Sequence, residues 1–309
     1  MSALSGGVLV IGGTGLVGNA LVRAWTARGR PTAGATYHCH PGPGFRRLDM
    51  QDEAAVRACL AELEPGVVAV PAANPHVDYC ETHPEETRRV NVTGTLNVAR
   101  AARDAGSRVV FYSSDYVFDG VKGSYSEDDP PNPLNEYGRQ KAEAEAGVLG
   151  ADPRNLVIRT SGAYGWQWEP KNFVLQVRAR LSAGQPMSLA GDLLYNPTYA
   201  ENLAEVTADL VESGAAGIFH VVGAEAVTRY DFAVMAAETW GLDAALLESV
   251  PAARFTSPTP RPKQSCLLTA KVRAAAKTPL MGPAAGLAHM KALEPAWRAY
   301  AKTLPSPSL

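Results

Sequence analysis

The sequence lacks the features that would direct it to several other classes of protein. It has no excess of one charge, since 29 Lys and Arg against 31 Asp and Glu give a formal net charge of -2. Without a basic field, a nucleic-acid partner is not expected. The four cysteines (Cys39, Cys59, Cys80 and Cys266) are scattered and form no C-x-x-C pair. We therefore expect reduced thiols, no disulfide framework and no metal site.

Long apolar runs are also absent. No stretch approaches the ~20 residues of a membrane span. Residues 1–6 have neither the basic start nor the apolar stretch of a signal peptide. We expect a cytoplasmic protein with no membrane partner. The 309 residues, 46% of them hydrophobic, are enough for one large or two fused domains.

A glycine-rich turn follows the first apolar run, Val8 to Ile11. Its glycines have the spacing G-x-x-G-x-x-G, and the following residues to Arg28 have helical periodicity. A strand, a glycine turn and a helix in this order are typical of a site where backbone N–H groups bind a dinucleotide pyrophosphate. A tight turn without a ligand is the alternative. The candidate cofactor-binding residues here are Gly12, Gly13, Thr14, Gly15, Leu16, Val17 and Gly18.

The end of the second predicted strand, Thr32 to Tyr37, has no carboxylate to hold the ribose hydroxyls of NAD. Tyr37 and His38 stand there, and Arg46-Arg47 follow. This favours NADP(H), with NAD(H) as the alternative. Asp49 and Met50 are candidates for the adenine border, although a helix cap also explains an aspartate in this stretch.

The third predicted strand, Val67 to Val70, ends in small residues, of which Ala72 and Ala73 would allow a cofactor close to the backbone. A polar loop is predicted over 78–83 and a helix over 85–104. That helix contains Asn91, which we interpret either as a cofactor-site residue or as an internal polar residue bonded to backbone.

The fourth predicted strand, Arg108 to Tyr112, leads into Ser114, Asp115 and Tyr116. Ligands of open α/β sheets bind beyond the carboxyl ends of the strands, where a hydroxyl can bond a substrate carbonyl. Tyr137 and Lys141 are four residues apart and share one face of a helix. An ammonium beside a phenol is expected to lower the pKa of the phenol toward neutral, which suits proton transfer. A surface pair is the alternative.

The whole pattern predicts an α/β fold, a Rossmann-type doubly wound parallel sheet with a smaller C-terminal substrate-binding cap. Further strands are expected at 155–159 and 217–222, and helices at 172–183, 230–240 and 286–304. The predicted domains are residues 1–160 for NADP binding, with the returning strand near 217–222, and residues 161–309 mainly for the cap. Substrate-binding candidates, each with a structural alternative, are Ser114, Asp115, Tyr116, Asn172, Phe173, Tyr195, Pro197 and Arg261.

Together these stretches resemble the extended short-chain dehydrogenase/reductase superfamily, and within it the dTDP-4-dehydrorhamnose reductases. The matching residues cover nearly the whole chain, and the most specific are Ser113 to Gly120 and Pro133 to Lys141. The same stretches are similar to the regulatory β subunit of methionine adenosyltransferase, a non-catalytic relative.

The resemblance implies a catalytic set of Ser114, Tyr137 and Lys141, a nucleotide-sugar substrate and a homodimer. Dehydratases of the superfamily have a second carboxylate after Asp115, where this chain has Tyr116. This favours carbonyl reduction. The family's tryptophan after Arg-Thr-Ser is replaced by Gly162, and Trp166 or Trp168 is expected to fill that space. A regulatory subunit and another reductase or an epimerase remain alternatives.

Overall fold

The computed structural model describes residues 6–36, 45–168, 171–257 and 259–302. Short strands alternate with helices along most of this length. The strands are β1 Val8–Ile11, β2 Thr32–Thr36, β3 Phe45–Arg47, β4 Val67–Val70, β5 Arg108–Ser114, β6 Gly123–Tyr125, β7 Leu156–Thr160, β8 Ala163–Tyr164, β9 Met187–Ala190, β10 Leu194–Tyr195, β11 Thr198–Tyr199, β12 Gly217–His220, β13 Val227–Thr228, β14 Leu247–Val250 and β15 Ser265–Leu267.

The helices pack on both faces of the main sheet and in the C-terminal part. They are α1 Leu16–Ala27, α2 Glu53–Leu63, α3 Val77–Thr82, α4 Pro84–Arg88, α5 Thr95–Asp104, α6 Glu136–Ala151, α7 Phe173–Ser182, α8 Ala200–Glu212, α9 Arg229–Trp240, α10 Ala270–Ala275, α11 Pro283–Ala292 and α12 Glu294–Ala301. A π-helical turn at Arg89–Gly94 joins α4 to α5, and a 3-10 turn at Asp115–Val117 follows β5.

Seven strands form one parallel sheet in the order β12-β7-β5-β4-β1-β2-β3. Val8 of β1 lies opposite Thr32 of β2 on one side and opposite Val67 of β4 on the other. The direction in which the strand order runs reverses between β1 and β4. Such a switch point opens a crevice at the carboxyl ends of the strands, where ligands of this kind of sheet bind.

The central strands are buried on both faces, which is why they are continuous apolar runs. Val8 and Val10 of β1 join the core beneath α1 and α8. Leu9 and Ile11 face the opposite side and join the core beneath α2, α5 and α6. One four-residue strand thus contributes to two cores because its side chains alternate.

A third core lies in the C-terminal part, where Tyr164, Val174, Phe232 and Leu287 bring together α7, α9 and α11. The C-terminal part is interleaved with the sheet. Helix α8 packs on α1 through hydrogen bonds from Arg28, and β12 forms an edge of the main sheet. Strand β15 also pairs with β6. These contacts bring the C-terminal part against the sheet.

The structure corrects the predicted elements in three places. The predicted polar loop over 78–83 is largely α3, a short helix that buries Cys80. The main sheet has a seventh strand, Phe45–Arg47, which was not predicted because three residues are too few to show a period. The predicted single helix over 286–304 is two helices, α11 and α12. In the described part of the chain, no helix is both long and apolar enough to cross a membrane.

Candidate active site

The glycine turn is built so that backbone can approach closely. Gly12 has φ +94°, a conformation that favours glycine. A Cβ on Gly18 would lie 2.0 Å from the carbonyl oxygen of Gly12, so α1 can start this close to the turn only with glycine there. Gly13 and Gly12 both donate backbone hydrogen bonds to the carbonyl of Ala35. The turn is therefore fixed to β2.

No side chain of helix α1 compensates the unpaired N–H groups and the positive dipole at its N-terminus. Gly15 at the N-cap gives no side-chain cap, and the first turn has no acidic residue. The N–H groups of Leu16, Val17 and Gly18 have no acceptor within the helix. An anion at this point would satisfy them and the helix dipole together. The turn fits a dinucleotide pyrophosphate.

The described end of β2 has a hydroxyl where an NAD site often has a carboxylate. Thr36 bonds Thr14 of the glycine turn, with 2.9 Å between the two side-chain oxygens. The predicted cofactor residues Tyr37 and His38 lie outside the described residues. Arg46 is on β3 and pairs with Glu62 at 2.5 Å, so its guanidinium is bonded along the edge strand.

The remaining cofactor candidates lie at the same edge of the sheet. Asp49 accepts a hydrogen bond from the Gln51 backbone, and Met50 is buried. Ala72 contacts the turn, because a Cβ on Gly12 would lie 2.9 Å from the Ala72 Cα; Ala73 follows it. Asn91 is fully buried and bonds both the N–H and the carbonyl of Asn74. It thus fixes the loop after β4 from beneath.

The predicted catalytic side chains come from two neighbouring elements. Ser114 ends β5, and Tyr137 and Lys141 lie in the first turns of α6. Asn135 caps α6 by accepting from the Gly138 N–H at 2.9 Å. A Cβ on Gly138 would lie 2.1 Å from the Tyr116 carbonyl oxygen. Glycine at this position therefore lets the helix lie directly against the turn that follows Ser114.

A buried hydrogen-bond network surrounds Asp115. Its carboxylate accepts from Ser114 at 3.0 Å, from Ser161 at 2.8 Å and from Ser265. Burial raises the Asp115 pKa, and the three serine hydroxyls oppose that rise. The predicted substrate ligand Asp115 is thus bonded within the protein, where it orients Ser114.

The expected lowering of the Tyr137 pKa is wrong for this structure. Burial raises the pKa, the charge of Asp115 raises it further, and a hydrogen bond with Ser114 opposes both. Lys141 does not bond the phenol; its Nζ donates to the Tyr112 carbonyl at 2.9 Å and lies 5.9 Å from the Tyr137 ring centroid. Tyr137 is therefore protonated at neutral pH, the state that a proton donor needs.

Lys141 itself is perturbed. Burial lowers its pKa to about 8, although the charge of Glu145 partly opposes this. Its ammonium lies 4.7 Å from the Phe111 ring centroid as well as near Tyr137. A buried ammonium with no carboxylate bonded to it can respond to charge that develops beside it.

Some candidate substrate residues lie beside Tyr137 or Gly162, whereas one stabilises a helix of the C-terminal part. Tyr116 packs its ring edgewise on Tyr137, and Tyr195 packs over Gly162, where a Cβ would lie 2.3 Å from the Tyr195 ring. Pro197 lies beside Gly162 as well. By contrast, Asn172 caps α7 and bonds the Gly165 carbonyl, which is a structural arrangement.

Arg261 and Trp166 have hydrogen-bond partners that the sequence did not predict. Arg261 is at the rim, where its guanidinium bonds Asp78 at 2.9 Å and the Thr259 carbonyl at 3.1 Å. Trp166 does not fill the space beside Gly162; its indole donates to the Met290 carbonyl inside the cap core. Tyr195 is the aromatic residue at Gly162.

Sequence reasoning missed three side chains. Ser161 and Ser265 reach Asp115 from positions 46 and 150 residues away, a distance over which no local pattern carries a signal. Arg229 lies against the rings of Phe173 and Tyr195. Its position at the start of a predicted helix next to Tyr230 was the available hint. Among the residues described, no group of three His, Cys, Asp or Glu side chains is placed to hold a metal ion.

Comparisons with known proteins identify the family of this chain and several of its relatives. Residues 6–292 match the family model of the RmlD substrate binding domain. The chain is 36% identical over 266 residues to a probable low-salt glycan biosynthesis reductase of Haloferax volcanii, covering 84% of this chain and 88% of that one. It is 30% identical to the methionine adenosyltransferase 2 subunit beta of Xenopus tropicalis, covering 88% and 84%. A solved dTDP-4-dehydrorhamnose reductase from Clostridium acetobutylicum superposes with a TM-score of 0.85 at 27% identity, covering 93% and 98%.

The Rossmann-type sheet with its glycine turn and the similarity to reductases place the chain among the NAD(P)-dependent oxidoreductases. Within that class, the chain belongs to the RmlD substrate-binding domain family.

Proposed function

We propose that the protein reduces the C4 keto group of a nucleotide-linked 4-keto-6-deoxy sugar with NADPH. One observation carries this proposal: Ser114 at the carboxyl end of β5 and Tyr137 at the start of α6 lie within hydrogen-bond reach of each other, and Tyr137 keeps its proton at neutral pH. A protonated phenol is ready to give a proton to a carbonyl oxygen as that oxygen becomes an alkoxide.

In this mechanism the cofactor supplies the hydride. Tyr137 donates its proton to the carbonyl oxygen of the sugar, and Ser114, oriented by Asp115, holds that oxygen beside the phenol. The phenolate that results is stabilised by the Lys141 ammonium, 5.9 Å from the ring centroid. Lys141 is also our candidate for the bond to the nicotinamide ribose.

Reduction fits these residues better than elimination of water. A dehydratase needs a second acid or base beside Asp115, and Tyr116 stands in that position. The Asp115 carboxylate is also occupied by three serine hydroxyls. The relatives named as reductases also support carbonyl reduction. NADPH is favoured over NADH because Thr36 ends β2 without a carboxylate.

The test is consumption of NADPH with dTDP-4-keto-6-deoxy sugars by the wild type and by Tyr137→Phe. Loss of the general acid should lower turnover on the order of 10²- to 10⁴-fold while NADPH still binds. Tyr79→Phe is the matched control, because it removes a hydroxyl that bonds Glu86 outside the site. Equal turnover in Tyr137→Phe and the control would remove Tyr137 from the mechanism.

A second candidate function is a regulatory subunit that binds NADP(H) without turnover. The similarity to the methionine adenosyltransferase subunit beta favours it. Tight NADPH binding, no consumption with any keto sugar, and co-purification of an enzyme partner would support this function and reject the reductase.

A further inference from the structure

Arg229 is held in an unusual setting. Its guanidinium carbon lies 5.0 Å from the centroid of the Tyr195 ring and 5.4 Å from the centroid of the Phe173 ring. The side chain is half-buried, yet within the described ranges no residue gives it a hydrogen bond or an ion pair. These cation–π contacts hold the guanidinium beside the two rings and leave its N–H donors without a partner among the described residues.

The helix does not explain this arginine. Arg229 is the first residue of α9, where a cation is unfavourable because the helix dipole is positive there. The N-terminus of α9 is already capped. The Thr228 hydroxyl accepts from the Asp231 N–H at 3.0 Å and donates to the Asp231 carboxylate at 2.6 Å. A residue chosen for helix stability would be acidic or neutral at this position.

A chain of contacts connects Arg229 to the candidate catalytic residues. Tyr195, whose ring Arg229 contacts, covers Gly162, and Ser161 next to Gly162 bonds Asp115. Burial raises the pKa of Asp115 and of Tyr116, and the charge of Arg229 partly opposes both rises. The guanidinium therefore lies on the cap side of the crevice, across from the turn that carries Ser114.

The other arginines near this crevice are already occupied. Arg261 bonds Asp78 and the Thr259 carbonyl, and the buried Arg159 pairs with Glu145 at 2.7 Å. Arg229 differs from both in having no carboxylate bonded to it among the described residues. A planar fork with free donors binds phosphate oxygens two at a time.

We propose that Arg229, held by cation–π contacts with Phe173 and Tyr195, binds a phosphate of the nucleotide diphosphate of the substrate. The proposal rests on the nucleotide-sugar function proposed above and names the residue that recognises its anion. Phe173 and Tyr195 are then positioning residues, since both rings contact the guanidinium. Arg261, the arginine expected from the sequence to do this, pairs with Asp78 in this structure.

The test is equilibrium binding of dTDP and of UDP to the NADPH-loaded protein, with thymidine and uridine as probes that lack phosphate. Arg229→Gln should weaken diphosphate binding on the order of tenfold to a hundredfold. Binding of NADPH should not change. Arg229→Lys keeps the charge without the fork and should fall between. Arg180→Gln on α7, whose guanidinium bonds only the Pro186 carbonyl among the described residues, is the matched control.

The thermal midpoint separates binding from a structural role. Because the cation is unfavourable at the start of α9, Arg229→Gln should melt at the wild-type temperature or above it. A lower midpoint with unchanged diphosphate affinity would overturn the proposal, as would a wild type that binds neither diphosphate. A larger loss in Arg261→Gln than in Arg229→Gln would also overturn it. Binding does not depend on turnover, so a protein that binds dTDP through Arg229 but consumes no NADPH would refute the reductase and leave this site standing.

Discussion

At the scale of the residue, the structure changes how the Tyr–Lys pair is understood. Spacing alone predicts which two side chains share a helix face, and it suggested that the ammonium lowers the pKa of the phenol. The direction of the Tyr137 pKa shift depends on burial and on the Asp115 carboxylate, and neither can be predicted from the spacing. The serines that hold Asp115 come from β15 and from the loop after β7, so only the folded chain brings them together.

Lys141 gives a pH dependence that can be measured. Its pKa is lowered to about 8, so the ammonium is lost as the pH rises through that value. The charge that stabilises the Tyr137 phenolate then disappears, and turnover should fall above about pH 8. The measurement is kcat between about pH 6 and pH 10, with NADPH binding measured at each pH as the control. A kcat that stays level or rises across this range would contradict the assigned role.

At the scale of the element, local sequence predicted most strands of the sheet. The buried runs at β1, β4 and β5 have no alternative to a parallel core strand, because they lack an alternating polar face. Strand β3 was missed since its pairing with β2 depends on Phe45 packing against Gly34, where a Cβ would lie 2.3 Å from the ring. Such a contact between distant residues leaves no period in the sequence.

The close packing of α6 against the turn that follows Ser114 leads to a prediction at this scale. In Gly138→Ala the new Cβ would meet the Tyr116 carbonyl oxygen, so the helix must move away from the turn that carries Ser114. We expect a loss of about 1–3 kcal/mol in the free energy of unfolding, together with lower turnover. Denaturant unfolding and NADPH consumption measure the two effects.

Gly150→Ala is the matched control on the same helix. A Cβ at Gly150 meets nothing within 4 Å. Alanine should therefore stabilise the protein by about 0.5–1 kcal/mol and leave turnover unchanged. Equal effects of the two substitutions would show that the close approach at Gly138 does not matter.

At the scale of the whole molecule, the sequence predicted the Rossmann-type sheet and the existence of a cap. It did not predict how far the two are interleaved. Helix α8 packs on α1, β12 completes one edge of the sheet, and β15 crosses to pair with β6. These contacts form between segments far apart in the chain, and they bring Ser265 to Asp115. The domain boundary near residue 160 and the homodimer remain predictions.

The central claim is that hydride from NADPH reaches C4 of a nucleotide-linked keto sugar. The most direct measurement uses NADPH deuterated at its reducing carbon and finds the deuterium in the product by mass spectrometry and NMR. The account predicts one deuterium at C4 of the sugar, and on the order of 10²- to 10⁴-fold less labelled product when Tyr137→Phe replaces the wild type for the same reaction time. Consumption of NADPH with no deuterium at C4, or a product altered at C4 without NADPH consumption, would contradict it.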